Sequence, residues 1–151
     1  MTTTIEGIDG LKAHTGEHLG YSDWHQITQE QINTFADATG DHQWIHIDAE
    51  RAAAGPFGTT IAHGYLTLSL APLLLSEVYS VSGVALALNY GLNKVRFPSP
   101  VPVDSSVRAG VALQQVEDVA GGVQVTMVVT FEIRDAPKPA CVAEIVFRYL
   151  A

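Results

Sequence analysis

The sequence contains a single cysteine, Cys141, so no disulfide can form within the chain. Proteins without structural disulfides are typical of reducing compartments, and we therefore expect a cytoplasmic location. Cys141 lies in a strand-like segment, where a lone cysteine is expected to be a small buried side chain. The N-terminal segment lacks a basic start and an apolar stretch, and no apolar run reaches the about 18 residues of a membrane-spanning helix. We therefore predict neither a signal peptide nor a membrane span.

Basic residues are also scarce: eight Lys and Arg stand against 16 Asp and Glu, for a formal net charge of −8. Such a chain is a poor partner for nucleic acid or an anionic membrane surface, and neither is expected here. Hydrophobic residues make up 47% and charged residues 16% of the sequence, which argues against disorder. This composition predicts one folded domain over residues 1–151, apolar enough to form a subunit interface.

The first half of the chain carries helix signals. Residues 21–28 are expected to form a short strand, and the pattern after them predicts a helix that Thr28 caps and Gly40 ends. A loop is expected over residues 41–47, and Asp48 is placed to cap a short alanine-rich helix after it.

The middle of the chain predicts a central helix, and the second half predicts a sheet. Residues 64–79 are apolar on nearly every helical face, which is typical of a buried helix, and Pro72 predicts a kink in it. After Gly83, four valine-rich alternating segments separated by Pro or Gly predict four long antiparallel strands. This order indicates an α+β fold in which a sheet wraps round one helix.

The segment DATGDHQWIH concentrates polar side chains in an apolar sequence. Asp41 and His46 are five residues apart, and a carboxylate and an imidazole that share one water form a general acid–base pair. Two other interpretations stay open: Asp41 as an ordinary turn residue, and His46 as the donor to a backbone carbonyl. The His42–His46 pair also has the spacing of metal ligands, but such pairs usually lie on a helix and need a third ligand, so no metal is predicted.

Two further features carry candidate binding groups. His63 and Gly64 lie at the start of the central helix, where free N–H groups can stabilise a developing oxyanion or simply belong to a tight turn. Lys94 and Arg96 alternate with apolar residues, so we expect both on one strand face. They are candidates for contacts with an anionic substrate, or else belong to a solvated sheet edge.

These segments together resemble a known family. FADATGDHQWIHIDAERAA, followed by GPFGTTIAHGYLTLSL, is similar to the signature of the MaoC-like dehydratases, and more closely to R-specific enoyl-CoA hydratases and their NodN-like relatives. NKVRFPSPVPVDSSVRA resembles the family's strand with an aromatic–proline corner. The resemblance extends from about residue 16 to the end of the chain. The Asp–His loop combined with the HGY helix start is much more specific than either part alone.

The resemblance implies a hot-dog fold, a homodimer and an acyl tunnel along the central helix. It implies that Asp41 and His46 flank a water that adds to a trans-2-enoyl-CoA, and that the Gly64 N–H polarises the thioester carbonyl. The product is an (R)-3-hydroxyacyl-CoA, and no metal or redox cofactor is needed. The expected substrate contacts are made by Gln43, His63, Tyr65, Lys94 and Arg96.

The sequence departs from the family pattern at two positions of the loop. The family often has D-x-N-P-x-H, whereas this chain has Gln43 and Trp44 in place of Asn and Pro, and Trp44 is expected to loosen the loop. We expect Asp41 to be the base toward water and His46 to orient the water and donate a proton. Two alternative functions stay open: an acyl-CoA thioesterase on the same fold, and a non-catalytic acyl-CoA-binding protein.

Overall fold

The computed structural model describes residues 2–151. Within this range the strands are β1 Thr3–Glu6, β2 His18–Tyr21, β3 His25–Gln26, β4 Tyr79–Ser82, β5 Leu86–Arg96, β6 Ser106–Val119, β7 Gly122–Ile133 and β8 Cys141–Leu150. The helices are α1 Gly7–Ala13, α2 Gln29–Thr39, α3 Trp44–Ile47, α4 Ala49–Ala53, α5 Gly64–Ser69 and α6 Ala71–Ser76.

The main sheet is antiparallel and has the strand order β2-β6-β7-β8-β5, with β3 also paired to β6. The four predicted strands are therefore confirmed as β5 to β8. The strand predicted over residues 21–28 is instead split into β2, which begins earlier, and the short β3. The sequence signals also missed α1 and β1, which pairs in parallel with β4.

The core lies between the sheet and the central helical segment. Alternate residues of β6 and β7 are fully buried, which is the pattern of strands with one face packed on a core. Helix α5 packs against β8 and α6 against β6, so the sheet curves round the central helices. The α+β hot-dog architecture predicted from the sequence is confirmed.

The central helix is interrupted. Helix α5 ends at Ser69 and α6 starts at Ala71, with Leu70 between them and Pro72 in the first turn of α6, where a missing N–H costs least. The break confirms the effect expected of Pro72. The expectation of a helix buried on every face is wrong for the single chain, because Tyr65 is 71% exposed and Leu73 is 48% exposed. The sheet covers only one side of these helices.

The helices that precede the central helical segment have the predicted capping residues. The Thr28 side chain accepts a hydrogen bond from the Gln31 N–H, and Gly40 ends α2 in the left-handed conformation with φ of 84°. Asp48 caps α4 by accepting from the Arg51 N–H. The loop expected over residues 41–47 is partly wrong, because its second half forms the short helix α3.

Strand β5 forms one edge of the main sheet, and among residues 2–151 no strand pairs with its outer side. It is exposed along almost its whole length and carries large apolar side chains. Register shifts between Asn89 and Gly91 and between Leu92 and Val95 interrupt its alternation. An exposed apolar edge of this kind is a surface on which another chain can pair.

The lone cysteine and the lengths of the helices can be compared with the predictions made from the sequence. Cys141 is fully buried and unpaired, as expected of a small core side chain, and burial raises the pKa of its thiol to about 11. Of the helices formed by residues 2–151, none has the length and apolar character required to cross a membrane.

Candidate active site

Asp41 is held at the end of α2 by its own local backbone. Gly40 turns the chain out of the helix, and its N–H still donates to the Ala36 carbonyl at 2.8 Å. The Asp41 carboxylate then accepts the Gln43 N–H at 3.3 Å through Oδ1. This turn leaves Oδ2 free of that contact, and the side chain stays 54% exposed. The carboxylate therefore keeps one oxygen available to water or substrate.

His46 lies on α3 and is nearly buried, with 6% of the residue exposed. Its Nδ1 is 2.7 Å from the Ile61 carbonyl oxygen. A carbonyl can only accept a hydrogen bond, so Nδ1 carries the proton and the neutral ring has its lone pair on Nε2. The hydrogen bond from His46 to a backbone carbonyl, which was predicted as an alternative to a catalytic role, is therefore present. It also leaves the Nε2 lone pair free, as a general base requires.

The two predicted dyad residues meet. Asp41 Oδ2 and His46 Nε2 are 3.9 Å apart, beyond a direct hydrogen bond. Both atoms are acceptors when Asp41 is ionised and His46 is neutral, so they cannot bond each other. A single water can bridge them by donating one hydrogen to each.

Burial also sets the charge state of the imidazole. It lowers the pKa of His46 below its ordinary value of 6.5, and the adjacent His63 adds to this effect. The Ile61 carbonyl and Asp41 act in the opposite direction. The net lowering keeps His46 neutral at pH 7, which leaves Nε2 able to accept a proton.

Gly64 begins α5 beside a cavity of about 260 Å³ that His46, Thr67 and Phe97 also line. A helix start leaves backbone N–H groups without intrahelical partners. The Phe97 ring covers the Gly64 backbone so closely that a Cβ at this position would lie 3.1 Å from it. A side chain at this position would require the exposed Phe97 ring to move by a few tenths of an ångström. His46 and the Gly64 amide share one cavity.

His63 occupies a different position from the substrate contact expected of it. It is only 3% exposed, and it is not one of the residues that line this cavity. Its ring stacks on His46, with centroids 3.8 Å apart and planes at 23°. Its Nε2 is 3.0 Å from the Asp41 carbonyl oxygen. The structure therefore places His63 behind the dyad, away from this cavity.

The remaining residues that were predicted to contact the substrate do not line this cavity. Gln43 is exposed, and its backbone N–H rather than its side-chain amide contacts Asp41. Tyr65 is exposed and meets Phe97 edge-on, with ring centroids 6.2 Å apart. Lys94 and Arg96 are exposed on β5, where the bulge after Leu92 removes the regular alternation from which a shared face was predicted.

Trp44 has an effect opposite to the one expected. Its ring lies on Gly55, where a Cβ would be 3.0 Å away, and the Arg51 guanidinium stacks over it at 4.4 Å. These contacts join α3 to α4 and to the turn that follows. Trp44 therefore anchors the segment that carries His46 instead of loosening it.

Two residues that hold the dyad were missed by the sequence analysis. Gln29 donates through Nε2 to the His46 carbonyl at 2.7 Å, and its Oε1 accepts from the Thr60 hydroxyl at 2.6 Å. Thr60 is 1% exposed, so the clamp is largely shielded from water. No sequence pattern separates Gln29 from any other residue in the first turn of a helix. Phe97 was quoted within the aromatic–proline motif but not as a site residue.

Asp41, His46 and His63 also form a set that could hold a metal ion, since their potential ligand atoms all lie within 4.8 Å. The arrangement fits a metal poorly, because the His63 Nε2–H is already donated to the Asp41 carbonyl. His42, the other histidine of the metal hypothesis, lies outside this set and contacts Asp37 at 2.9 Å.

Comparison with known proteins agrees with this architecture. Residues 11–133 match the MaoC-like domain family. The chain is 62% identical over 149 residues to 3-hydroxyacyl-thioester dehydratase Z of Mycobacterium tuberculosis, covering 98% of this chain and 99% of that one. It is 45% identical over 136 residues to nodulation protein N of Rhizobium leguminosarum bv. viciae, covering 88% and 84%.

A solved structure gives the same fold. The (R)-hydratase from A. caviae involved in PHA biosynthesis superposes with a TM-score of 0.73 at 22% identity, covering 88% of this chain and 94% of that chain. The chain belongs to the MaoC-like dehydratase family. The prediction of a hydro-lyase is confirmed at this level, as is the resemblance to the NodN-like proteins.

Proposed function

We propose that the protein catalyses the reversible hydration of trans-2-enoyl-CoA to (R)-3-hydroxyacyl-CoA. The observation that carries the proposal is the pair of acceptors, Asp41 Oδ2 and His46 Nε2, set 3.9 Å apart. His46 and the Gly64 amide line one cavity, which supplies a base and an oxyanion donor to a single substrate. The (R) configuration rests on the family resemblance.

The reaction can be written with these groups and water alone. The bridging water loses a proton to His46 Nε2 as its oxygen bonds to C3 of the enoyl group. The C2–C3 π electrons move toward the thioester, and the Gly64 N–H stabilises the negative oxygen. The proton on His46 is then delivered to C2, so one water is added in total. Asp41 orients the water and stabilises the transient imidazolium.

This assignment revises the one made from the sequence. A resting His46 with its proton on Nδ1 has no proton to donate from Nε2. It must accept one first, which makes His46 the base of the hydration direction and Asp41 its partner. The dehydration direction uses the same atoms in reverse.

We propose that the acyl chain lies along the central helices, toward β5 and β8. Two apolar cavities of about 450 and 380 Å³ follow one another there and share Pro72, Asn89 and Phe147 in their walls. An acyl thioester agrees with the name of the mycobacterial relative, a 3-hydroxyacyl-thioester dehydratase. The cytoplasmic location stays a prediction.

We also propose a homodimer formed through β5. This strand is an unpaired edge in the single chain, and large apolar side chains are exposed along it and on the neighbouring helices: Tyr65, Leu73, Leu86, Leu88, Tyr90 and Leu92. Antiparallel pairing of two copies of β5 would continue the sheet and cover this surface.

Incubation with crotonyl-CoA tests the function. We expect loss of the enoyl absorbance, formation of 3-hydroxybutyryl-CoA with the (R) configuration, and no release of free CoA. Release of CoA would identify a thioesterase instead, and binding without turnover would identify an acyl-CoA-binding protein. Either result would overturn the proposal.

The contribution of Lys94 and Arg96 can be measured separately. We expect Lys94→Ala and Arg96→Ala to raise KM for crotonyl-CoA, more strongly at low salt, because they would remove attraction to the CoA phosphates. KM for the phosphate-free crotonyl-N-acetylcysteamine should not change in the same variants. An equal change for both thioesters would show that these cations do not act on the phosphates.

A further inference from the structure

His63 is enclosed by the protein immediately beside the proposed dyad. It is 3% exposed, stacks on His46 with ring centroids 3.8 Å apart, and packs against Phe35 with centroids 4.9 Å apart. Because it does not line the catalytic cavity, it is not placed to touch a substrate there. Its contacts are instead with the two dyad residues, His46, which lines the cavity, and Asp41.

The hydrogen bonds of His63 fix its protonation. Nε2 lies 3.0 Å from the Asp41 carbonyl oxygen, which can only accept, so Nε2 carries the proton. Nδ1 is buried and has no hydrogen-bond partner among residues 2–151. The ring is therefore oriented by the Nε2–H alone.

We propose that His63 is a positioning residue: its buried imidazole fixes the Asp41 backbone through the Nε2–H and the plane of the His46 ring through stacking. The proposal rests on the proposed function, in which Asp41 and His46 act on one water.

The position of His63 in the chain makes this arrangement effective. It directly precedes Gly64, so one side chain connects the Asp41 segment to the start of α5. The same Nε2 is 4.0 Å from Asp41 Oδ2. The charged and titratable groups that face His63 are therefore Asp41 and His46. A change at residue 63 is expected to move acid, base and amide donor relative to one another.

Two variants separate the hydrogen bond from the stacked ring. His63→Phe keeps an aromatic ring against His46 but removes the N–H, and His63→Gln keeps an N–H donor but removes the ring. Because displacements of about 1 Å can cost about 10²-fold in rate, we expect kcat of His63→Phe to fall by about that factor with KM nearly unchanged. His63→Gln should retain more kcat. His42→Gln, an exposed histidine bonded to Asp37, is the matched control and should behave as wild type.

Nitrogen-15 NMR of labelled histidines gives a readout that needs no turnover. We expect the His63 spectrum to show the proton on Nε2, where the Asp41 carbonyl oxygen accepts it. In His63→Phe and His63→Gln, the titration midpoint of His46 should move to higher pH, because the adjacent His63, which lowers the pKa of His46, has been removed. A purely structural role for His63 would leave that midpoint unchanged.

These measurements distinguish the two proposals. Wild-type protein without hydratase activity contradicts the proposed function, while the tautomer and the His46 midpoint still decide the state of His63. A proton on Nδ1 of His63 in place of Nε2, or a folded His63→Phe with wild-type kcat and His46 midpoint, contradicts the positioning role. Thermal melting identifies variants that fail to fold. If His63→Phe does not fold, a folded His63→Gln with the wild-type His46 midpoint contradicts the positioning role.

Discussion

A carboxylate and an imidazole can act on the same water only when both present lone pairs to it. In this protein the Ile61 carbonyl accepts a hydrogen bond from the Nδ1–H of His46, and the Gln43 N–H donates to only one oxygen of Asp41. The free acceptors that remain are 3.9 Å apart. At the scale of single residues, backbone groups thus decide which side-chain atoms are available for chemistry.

The first prediction concerns these two side chains. Asp41→Asn and His46→Gln should each lower kcat by about 10²–10⁴-fold, the usual contribution of a general acid or base. Steady-state kinetics with crotonyl-CoA measures the loss, and circular dichroism checks folding. Asp37→Asn changes an exposed carboxylate near the end of α2, shortly before Asp41, and should keep normal activity. Near-normal turnover in either dyad variant would refute the site assignment.

The second prediction concerns pH. The pKa of His46 is lowered from 6.5, mainly by burial, and the proposed mechanism needs the neutral ring. Activity should therefore persist below pH 6.5 and be lost as pH falls through the depressed pKa. The pH profile of kcat/KM is best measured with crotonyl-N-acetylcysteamine, since phosphate groups titrate near pH 6 themselves. An acid limb centred above 6.5 would contradict the prediction.

The same shift has a consequence for stability. Between pH 6.5 and the lower folded-state pKa of His46, the unfolded chain binds a proton that the folded chain does not. The free energy of unfolding therefore decreases as pH falls through this window. His46→Gln should weaken that dependence in urea titrations, which separates this effect from other groups that titrate at lower pH.

At the scale of elements, short helices and the segments between them carry the site. Helix α3 is a single turn and cannot be stable by itself. It is held by Trp44 against Gly55, by the pairing of Ile45 with Ile61, and by the Gln29 clamp. These contacts come from residues far apart in the sequence, so His46 is positioned by tertiary structure.

The third prediction tests the clamp. Gln29→Ala leaves the His46 carbonyl and the buried Thr60 hydroxyl without their partner, which should cost about 1–3 kcal/mol of stability. We expect kcat to fall as well, because α3 loses its tie to α2. Urea unfolding and steady-state kinetics measure the two effects. Gln26→Ala removes only a long 3.4 Å contact of an exposed glutamine and should change neither.

Helices and strands were predicted correctly from the sequence wherever a local pattern determines where they begin, end or alternate. The capped ends of α2, the proline break of the central helix and the alternation of β6 to β8 all follow from spacing within one segment. Helix α3 and strand β1 were missed because each is short and is stabilised by partners distant in sequence.

At the scale of the whole molecule, one apolar face of the fold is left uncovered in the single chain. The edge strand β5 and the outer side of the central helices expose apolar side chains that the sheet does not cover. Monomeric proteins seldom expose large continuous apolar patches, so this surface supports the proposed contact between two copies.

The fourth prediction tests that contact. Leu88→Asp places a charge on β5 and should shift the protein from two chains to one in size-exclusion chromatography with light scattering. The new carboxylate lies opposite Arg148 on β8, so the fold of the single chain should tolerate it. Gln115→Asp adds the same charge on the exposed part of β6 and should leave the assembly unchanged. A wild-type protein that runs as a monomer would contradict the proposed dimer.

The sequence by itself determined the fold class, the order of the main strands and the family, because these depend on hydrophobic periodicity, turn residues and a motif of adjacent positions. It also identified Asp41, His46 and Gly64 as candidate catalytic residues. Only the tertiary structure decided the tautomer of His46, the placement of His63 behind the dyad and the clamp from Gln29. Each of these depends on hydrogen bonds between segments whose distance in space no local pattern encodes.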